Sequence, residues 1–206
     1  MKKTNKDFEH RYLQCRQRLN KIDFLERAET IGATIAGGNL TIPFFGKTYV
    51  ISVNGITDTA GNQPNFAVSL VLCRYVLQCP DQITEDGDWV TYREFRGAGP
   101  LLGHFTANTN KTIETAFAGN LTALKESSTS LGGEIVENDP SHDISIKFSF
   151  LPKIPLLLHF NDRDETFPAQ CSILLKRSAE KYLDLDCLAI GGTYLAGQLI
   201  SNCEPG

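Results

Sequence analysis

The chain has 206 residues, 41% of them hydrophobic and 21% charged, with a net charge of −4 and an isoelectric point near 5.6. This balance suits a soluble globular protein, expected as one domain over residues 1–206. The charges are interspersed, so no basic face is offered to a phosphate backbone and nucleic acid is not an expected partner. No apolar run approaches the ~18 residues that span a bilayer, and Met1-Lys2-Lys3-Thr4 leads into polar sequence, so a cytoplasmic protein without a membrane partner is expected.

An N-terminal helical segment is predicted over about residues 5–36, and an α+β body from about 37 to 206. Phe8, Tyr12, Cys15, Leu19 and Ile22 recur at four- and three-residue steps, one stripe of an amphipathic helix. Lys2, Lys3, Lys6, Arg11, Arg16, Arg18 and Lys21 give this segment a positive bias that suits a solvated face. Phe24, Leu25, Ala28, Ile31 and Ile35 continue as a second helix, with Gly37-Gly38 as its stop. The period then falls to two. Asn39 to Phe45 and Thr48 to Val53 read as strands around Gly46-Lys47, with Tyr49, Ile51 and Val53 on one face.

Thr57 to Asn65 reads as a polar loop, and Phe66 to Gln78 as a helix with Phe66, Leu70, Cys73 and Leu77 on one side, closed by Pro80. Asp86-Gly87-Asp88 turns the chain into a predicted strand from Trp89 to Phe95, these two aromatics sharing a face. Arg96 to Phe105 reads as irregular backbone. From about Lys111 a helix carries Ile113, Phe117, Leu121, Leu124 and Leu131 inward and stops at Gly132-Gly133. Ile144, Ile146, Phe148 and Phe150 alternate with polar residues, one face buried and the other wet. Leu151-Pro152-Lys153 returns the chain through Ile154 to Phe160, and so short a connector joins antiparallel neighbours only. A strand near Ser172 to Leu175 and a helix from about Asp184, with Leu188, Leu195 and Leu199 inward, complete the chain. The fold class is therefore α+β: an antiparallel or mixed sheet built from hairpins and packed with the N-terminal helical segment, two central helices and a C-terminal helix.

Six cysteines, Cys15, Cys73, Cys79, Cys171, Cys187 and Cys203, are scattered with no C-x-x-C pair, so spacing supports neither a zinc nor an iron–sulfur site. They are expected as free thiols, most of them small buried hydrophobes. No nucleophile elbow is present, no catalytic residue is assigned, and no metal site is assigned.

Asp162, Asp164 and Thr166 spell D-x-D-x-T after the apolar run Leu156-Leu157-Leu158-His159-Phe160. In haloacid-dehalogenase-type phosphotransferases the first of these carboxylates attacks phosphorus, but that chemistry needs a parallel sheet with a lysine and an acidic pair from later strands. Only forty residues follow Thr166. A solvated turn, with Asn161 and Asp162 accepting backbone bonds, is the expected reading. A divalent cation at Asp162, Asp164 and Glu165 is the lesser one, because three side chains do not supply the six or more oxygens that calcium takes. His159 is expected to face away from Leu158 and Phe160 as a surface or partly satisfied histidine. Gly97, Gly99 and Gly103 let backbone approach a ligand closely, and His104 stands beside them, so a small-molecule pocket, if any, is placed at Gly97, Gly99 and His104. The segment lacks the lysine and Ser/Thr of a Walker loop.

The stretches Phe160 to Ser172 and Tyr182 to Ala189, with Leu151 to Leu158 and Gly97-Ala98-Gly99-Pro100-Leu101, resemble an uncharacterised prokaryotic family, domain of unknown function 3786, over nearly the whole chain. The resemblance implies a protein of anaerobes. Some members carry an attached four-cysteine iron–sulfur domain of the kind found in corrinoid-dependent methyl transfer. This chain has no such cluster, so an iron–sulfur or corrinoid protein is implied as a partner, and no cofactor of the chain's own is assigned. The leading expectation is a cytoplasmic ligand-binding or accessory module of anaerobic metabolism serving such a system. The alternatives are an enzyme with a pocket between the Gly97–His104 loop and the Asp162–Glu165 turn, and a structural interaction domain.

Overall fold

The computed structural model describes residues 5–78, 80, 82, 87–136 and 141–203 and has the expected α+β class, with two sheets that are both wholly antiparallel. The first is a meander of β1 (Thr34–Ala36), β2 (Asn39–Phe44), β3 (Lys47–Ser52) and β4 (Gly55–Asp58). The second has the order β5 (Trp89–Thr91), β9 (Gln170–Lys176), β8 (Ile154–Asn161), β7 (Ile144–Leu151), β6 (Glu134–Ile135). β7 and β8 form the predicted hairpin, from Ile144 opposite Phe160 to Leu151 opposite Ile154, with a register shift between Ser149 and Leu151. Cys79 and the Asp86 position of the predicted turn lie outside the described residues.

Helix α1 (Asn5–Leu19) lays Tyr12, Cys15 and Leu19 along α3 (Phe66–Gln78). In α3 all six residues from Val68 to Cys73 are buried, so this helix is apolar on every side where a single stripe was expected. Tyr75 ties it to its neighbours. Its hydroxyl donates to the Ile31 carbonyl (2.7 Å) and accepts from the Lys153 N–H (3.1 Å). The C-terminal helix α8 (Leu185–Cys203) starts where Asp184 accepts from the Cys187 N–H at 2.8 Å. Gly191 and Gly192 let it come close to the rings of Phe150 and Phe105, which a side chain at either position would overlap.

Local chemistry explains the departures from the sequence reading. Helix α2 (Phe24–Ile31) ends at Gly32, whose φ of 66° is the left-handed cap, and Ile35 belongs to β1 rather than to the helix. Thr57 and Asp58, expected in a loop, pair in β4 with β3. Val53 lies beyond β3 and is exposed, off the face of Tyr49 and Ile51. The predicted Trp89–Phe95 strand stops at Thr91, because Glu94 accepts from both the N–H and the hydroxyl of Thr91 (2.7 and 2.8 Å) and folds residues 92–94 into a 3₁₀ turn. The expected irregular segment is helix α4 (Gly99–Phe105) with Pro100 in its first turn, continued through a π-helical turn (Thr106–Asn110) into α5 (Lys111–Phe117). The single helix expected from Lys111 is two. Gly119, at φ 81°, breaks it, and Asn120 caps α6 (Leu121–Ser130) by accepting from the Ala123 N–H. A short α7 (Ala179–Tyr182) precedes α8.

The two sheets and α8 meet in an aromatic cluster. The β2–β3 turn is Phe45-Gly46 with φ of 45° and 74°, a two-residue loop with both central residues left-handed. Such a turn favours Asn, Asp or Gly at its first position, and a phenylalanine is strained there. The strain is offset from outside: the Phe45 N–H donates to the Phe150 carbonyl at 3.2 Å, and its ring stacks on Phe150 (5.0 Å) and on Tyr194 (5.7 Å). Phe44 meets Tyr194 edge-on at 4.9 Å.

Candidate functional site

Helix α8 has a second stripe, opposite its core face. Asp186, Ala189, Ile190, Thr193 and Tyr194 follow the three-to-four spacing of one helical side and line a cavity of about 580 Å³. Phe8 of α1, Asn65 and Ala67 at the start of α3, and Pro100, Leu101 and His104 of α4 complete the wall. The lining is mainly apolar. Four helices thus converge with their ends or flanks rather than with full faces, leaving a gap where close-packed stripes would have met.

The polar groups around the gap are fixed by bonds of their own. Arg11 of α1 pairs with Asp186 at 2.5 Å, both side chains about four-fifths shielded. Burial works against the charge on Arg11, yet Asp186 lifts its pKa above the ordinary value. The Asn65 side chain caps α3 through the Val68 N–H (2.9 Å), and His104 Nδ1 lies 3.1 Å from the Asn108 amide. Tyr194 is bonded to Tyr49, and burial pushes its hydroxyl well above the usual range. Tyr92 braces the α4 side, its ring stacked on Phe105 at 4.2 Å and its hydroxyl donating to the Leu185 carbonyl at 2.8 Å. The Thr193 hydroxyl is shielded from solvent and has no hydrogen-bond partner among the described residues.

Of the residues singled out in the sequence, His104 lines this cavity, together with its neighbours Pro100 and Leu101. Gly97 lies in the turn before α4 at φ 85°, and Gly99 is the first residue of α4 with open space around it; neither lines the cavity. His159 is half-buried on β8, with Nδ1 2.7 Å from the Ser145 hydroxyl and its ring stacked on His142 at 4.0 Å.

The acidic turn is elsewhere. Asp162 follows the central strand of the second sheet, and its Oδ1 accepts from the Gly119 N–H (2.6 Å) and the Arg163 N–H (2.7 Å). Its own N–H donates to Asp143. Asp164 Oδ1 accepts from the N–H groups of Thr166 and Phe167 (2.6 and 2.7 Å), bonds that hold its pKa below the usual carboxylate value. Glu165 is exposed. One oxygen of each aspartate is thus engaged by backbone donors, and none of residues 162–165 lines the cavity that His104 lines. Among the described residues no group of three or more His, Cys, Asp and Glu side chains gathers as metal ligands would.

Asp162→Asn is expected to cost at most ~1–2 kcal/mol, because the amide oxygen still accepts from Gly119 and Arg163 and only the charge is lost. Wild type is expected to show no magnesium-dependent phosphatase activity. Turnover that disappears in Asp162→Asn, with an unchanged melt, would overturn this and restore the nucleophile.

The cavity stripe on α8 was readable from the spacing of residues 186, 189, 190, 193 and 194. Leu188, Leu195 and Leu199 of the same helix carry the stronger apolar signal and face the core. The polar ends of that stripe look like an ordinary wet face until α1 and α4 are placed against it.

A family model described as Domain of unknown function (DUF3786) matches residues 23–198. No curated protein and no solved structure matches the chain.

Proposed function

The chain belongs to the family described as a domain of unknown function, DUF3786, and from that premise we propose that it is a cytoplasmic small-molecule-binding module whose ligand occupies the cavity between α1, α3, α4 and α8. The observation that carries this reading is the cavity itself: about 580 Å³, mostly apolar, with Asp186, His104 and Asn65 among its lining polar groups and Arg11 paired to Asp186 behind them. Ligand sites are usually concave, apolar and of ~300–1,000 Å³ with a few placed polar groups. No helix among the described residues is long and apolar enough to cross a membrane.

The lining also bounds the ligand. Arg11 and Asp186 neutralise each other, so the wall presents little net charge and suits a neutral, largely apolar ring system with one or two hydrogen-bonding groups. An intact corrinoid macrocycle is too large for the space. The accessory role toward an iron–sulfur or corrinoid protein therefore concerns a protein partner rather than this cavity, and the family resemblance is what supports it.

The test uses 1-aminoanthracene, a neutral fluorescent amine of suitable shape. A saturable rise in its emission is expected with wild type. Affinity should fall by about tenfold or more in Ala67→Phe and in Ile190→Trp, each of which fills the cavity from a different wall. Emission that does not saturate, or affinity unchanged in both variants while their circular dichroism matches wild type, would overturn the proposal.

A further inference from the structure

We propose that Cys15 and Cys73 are an oxidisable thiol pair, which a hydroperoxide converts to an intramolecular disulfide that fastens α1 to α3. The two residues are distant in sequence and come from different helices. Cys15 lies on the α1 stripe between Tyr12 and Leu19, and Cys73 closes the buried run of α3, at 3% and 0% exposure. Both are free thiols. α1 lies along α3, both cysteines are buried on these packed helices, and each thiol has the other as its hydrogen-bonding neighbour, so a disulfide of ~2.05 Å would join sulfurs that already neighbour each other.

Arg74 and Arg18 favour the thiolate on either cysteine and Arg11 on Cys15 but not on Cys73, and Cys15, the less buried of the two, is assigned as the attacking sulfur. The hydrogen bond from Cys73 lowers its pKa against the opposing effect of burial, and Arg74, Arg18 and Arg11 add to the lowering. Cys73 is pushed the other way by the same bond and by burial. Cys171 and Cys187 are both raised by burial and stand as structural contrasts. A thiolate is the reactive form, and an electropositive environment of this kind is what makes one cysteine of several reactive. Access comes from local opening of α1, which packs chiefly on α3, so that the helix can part from the pair without either sheet coming apart.

The chemistry balances with the hydroperoxide as sole oxidant. The Cys15 thiolate attacks the O–O bond of hydrogen peroxide, takes one oxygen as sulfenic acid and releases hydroxide, which takes up the proton that Cys15 gave up. The Cys73 sulfur then attacks the sulfenic sulfur, the S–O bond breaks and the Cys73 proton leaves with the oxygen as water. Two thiols and one peroxide become one disulfide and two waters, the sulfurs losing the two electrons that the O–O bond gains.

The experiment treats the full chain with hydrogen peroxide, alkylates it unreduced under denaturing conditions, and reads intact mass and linked peptides. The expected result is the loss of two alkylatable thiols, a peptide pair joining Cys15 to Cys73, full reversal by a phosphine reductant and a raised melting temperature before reversal. Cys15→Ser and Cys73→Ala should each abolish the crosslink. A peroxide-treated wild type that keeps all its thiols, is over-oxidised at Cys15 without a crosslink, or links either cysteine to Cys79, Cys171, Cys187 or Cys203 instead would overturn the proposal. The wild-type peptide map decides the matter even if a variant folds poorly.

Discussion

Phe150→Ala is expected to destabilise the protein by about 3–5 kcal/mol, the range for removing a fully buried aromatic ring from a core that cannot collapse around the gap. Phe150 stacks on Phe45, meets Phe44 at 5.5 Å and lies directly over Gly191, so its ring joins β7, the β2–β3 turn and α8. Gly191 supplies the sharper half of the test. Glycine inside a helix is worse than alanine by about 1 kcal/mol, so Gly191→Ala would be stabilising on backbone grounds alone. Here its methyl would overlap the Phe150 ring, and overpacking of about 1–3 kcal/mol reverses the sign. In the Phe150→Ala background the overlap is gone and Gly191→Ala should become neutral or stabilising. Denaturant midpoints for the two single variants and the double variant measure this coupling. An equal cost of Gly191→Ala in both backgrounds would show that the ring does not dictate the glycine.

Tyr75→Phe is expected to cost about 2–4 kcal/mol while leaving the ring in place. The lost hydroxyl serves two backbone groups at once, the carbonyl at the last residue of α2 and the N–H of Lys153 in the β7–β8 loop. Each is left without this partner, at ~1–3 kcal/mol per buried group. Tyr75 is wholly buried, and a side chain at Gly32 would press on Pro152 and Lys153, so water has little room to replace the hydroxyl. The same denaturation assay checks it. A cost below ~1 kcal/mol would mean that solvent reaches the loop and satisfies both groups.

Legibility in the sequence followed the range over which each decision is made. β7 and β8 were readable because strict alternation and a short connector are local facts, and α3 and α8 because their apolar residues are dense. The stretch from Gly99 to Asn110 was not readable. Three glycines between 97 and 103 and the polar run Thr106 to Asn110 argue against a helix, yet Pro100 starts one and the π turn carries it into α5. The β2–β3 turn was placed one residue late, at Gly46-Lys47, because Phe45 is the wrong residue for a left-handed position. Only its stacking on Phe150 and Tyr194, more than a hundred residues away, makes it acceptable. The cavity was half legible. His104 and its neighbours were found through nearby glycines, but the wall from α1, α3 and α8 exists only after four distant segments meet. The acidic turn was legible where its bonds are local, at Asp164 and between Asp162 and Arg163, but not in the bonds that tie Asp162 to Gly119 and Asp143, which depend on distant segments.

During synthesis the two sheets become available at different times. Each pairing of the first sheet joins strands that are neighbours in sequence, so the meander can close once Asp58 has left the ribosome. β5 has no such partner at hand. Trp89 pairs with Lys176 and Val90 with Leu175, so this strand must wait through the making of three helices and three further strands before β9 arrives. Until then Val90, Tyr92 and Phe95, all buried in the finished protein, face water or another chain beside an open strand edge. Residues 89–95 are therefore where co-translational aggregation should begin, and where a chaperone bound to the nascent chain has most to protect.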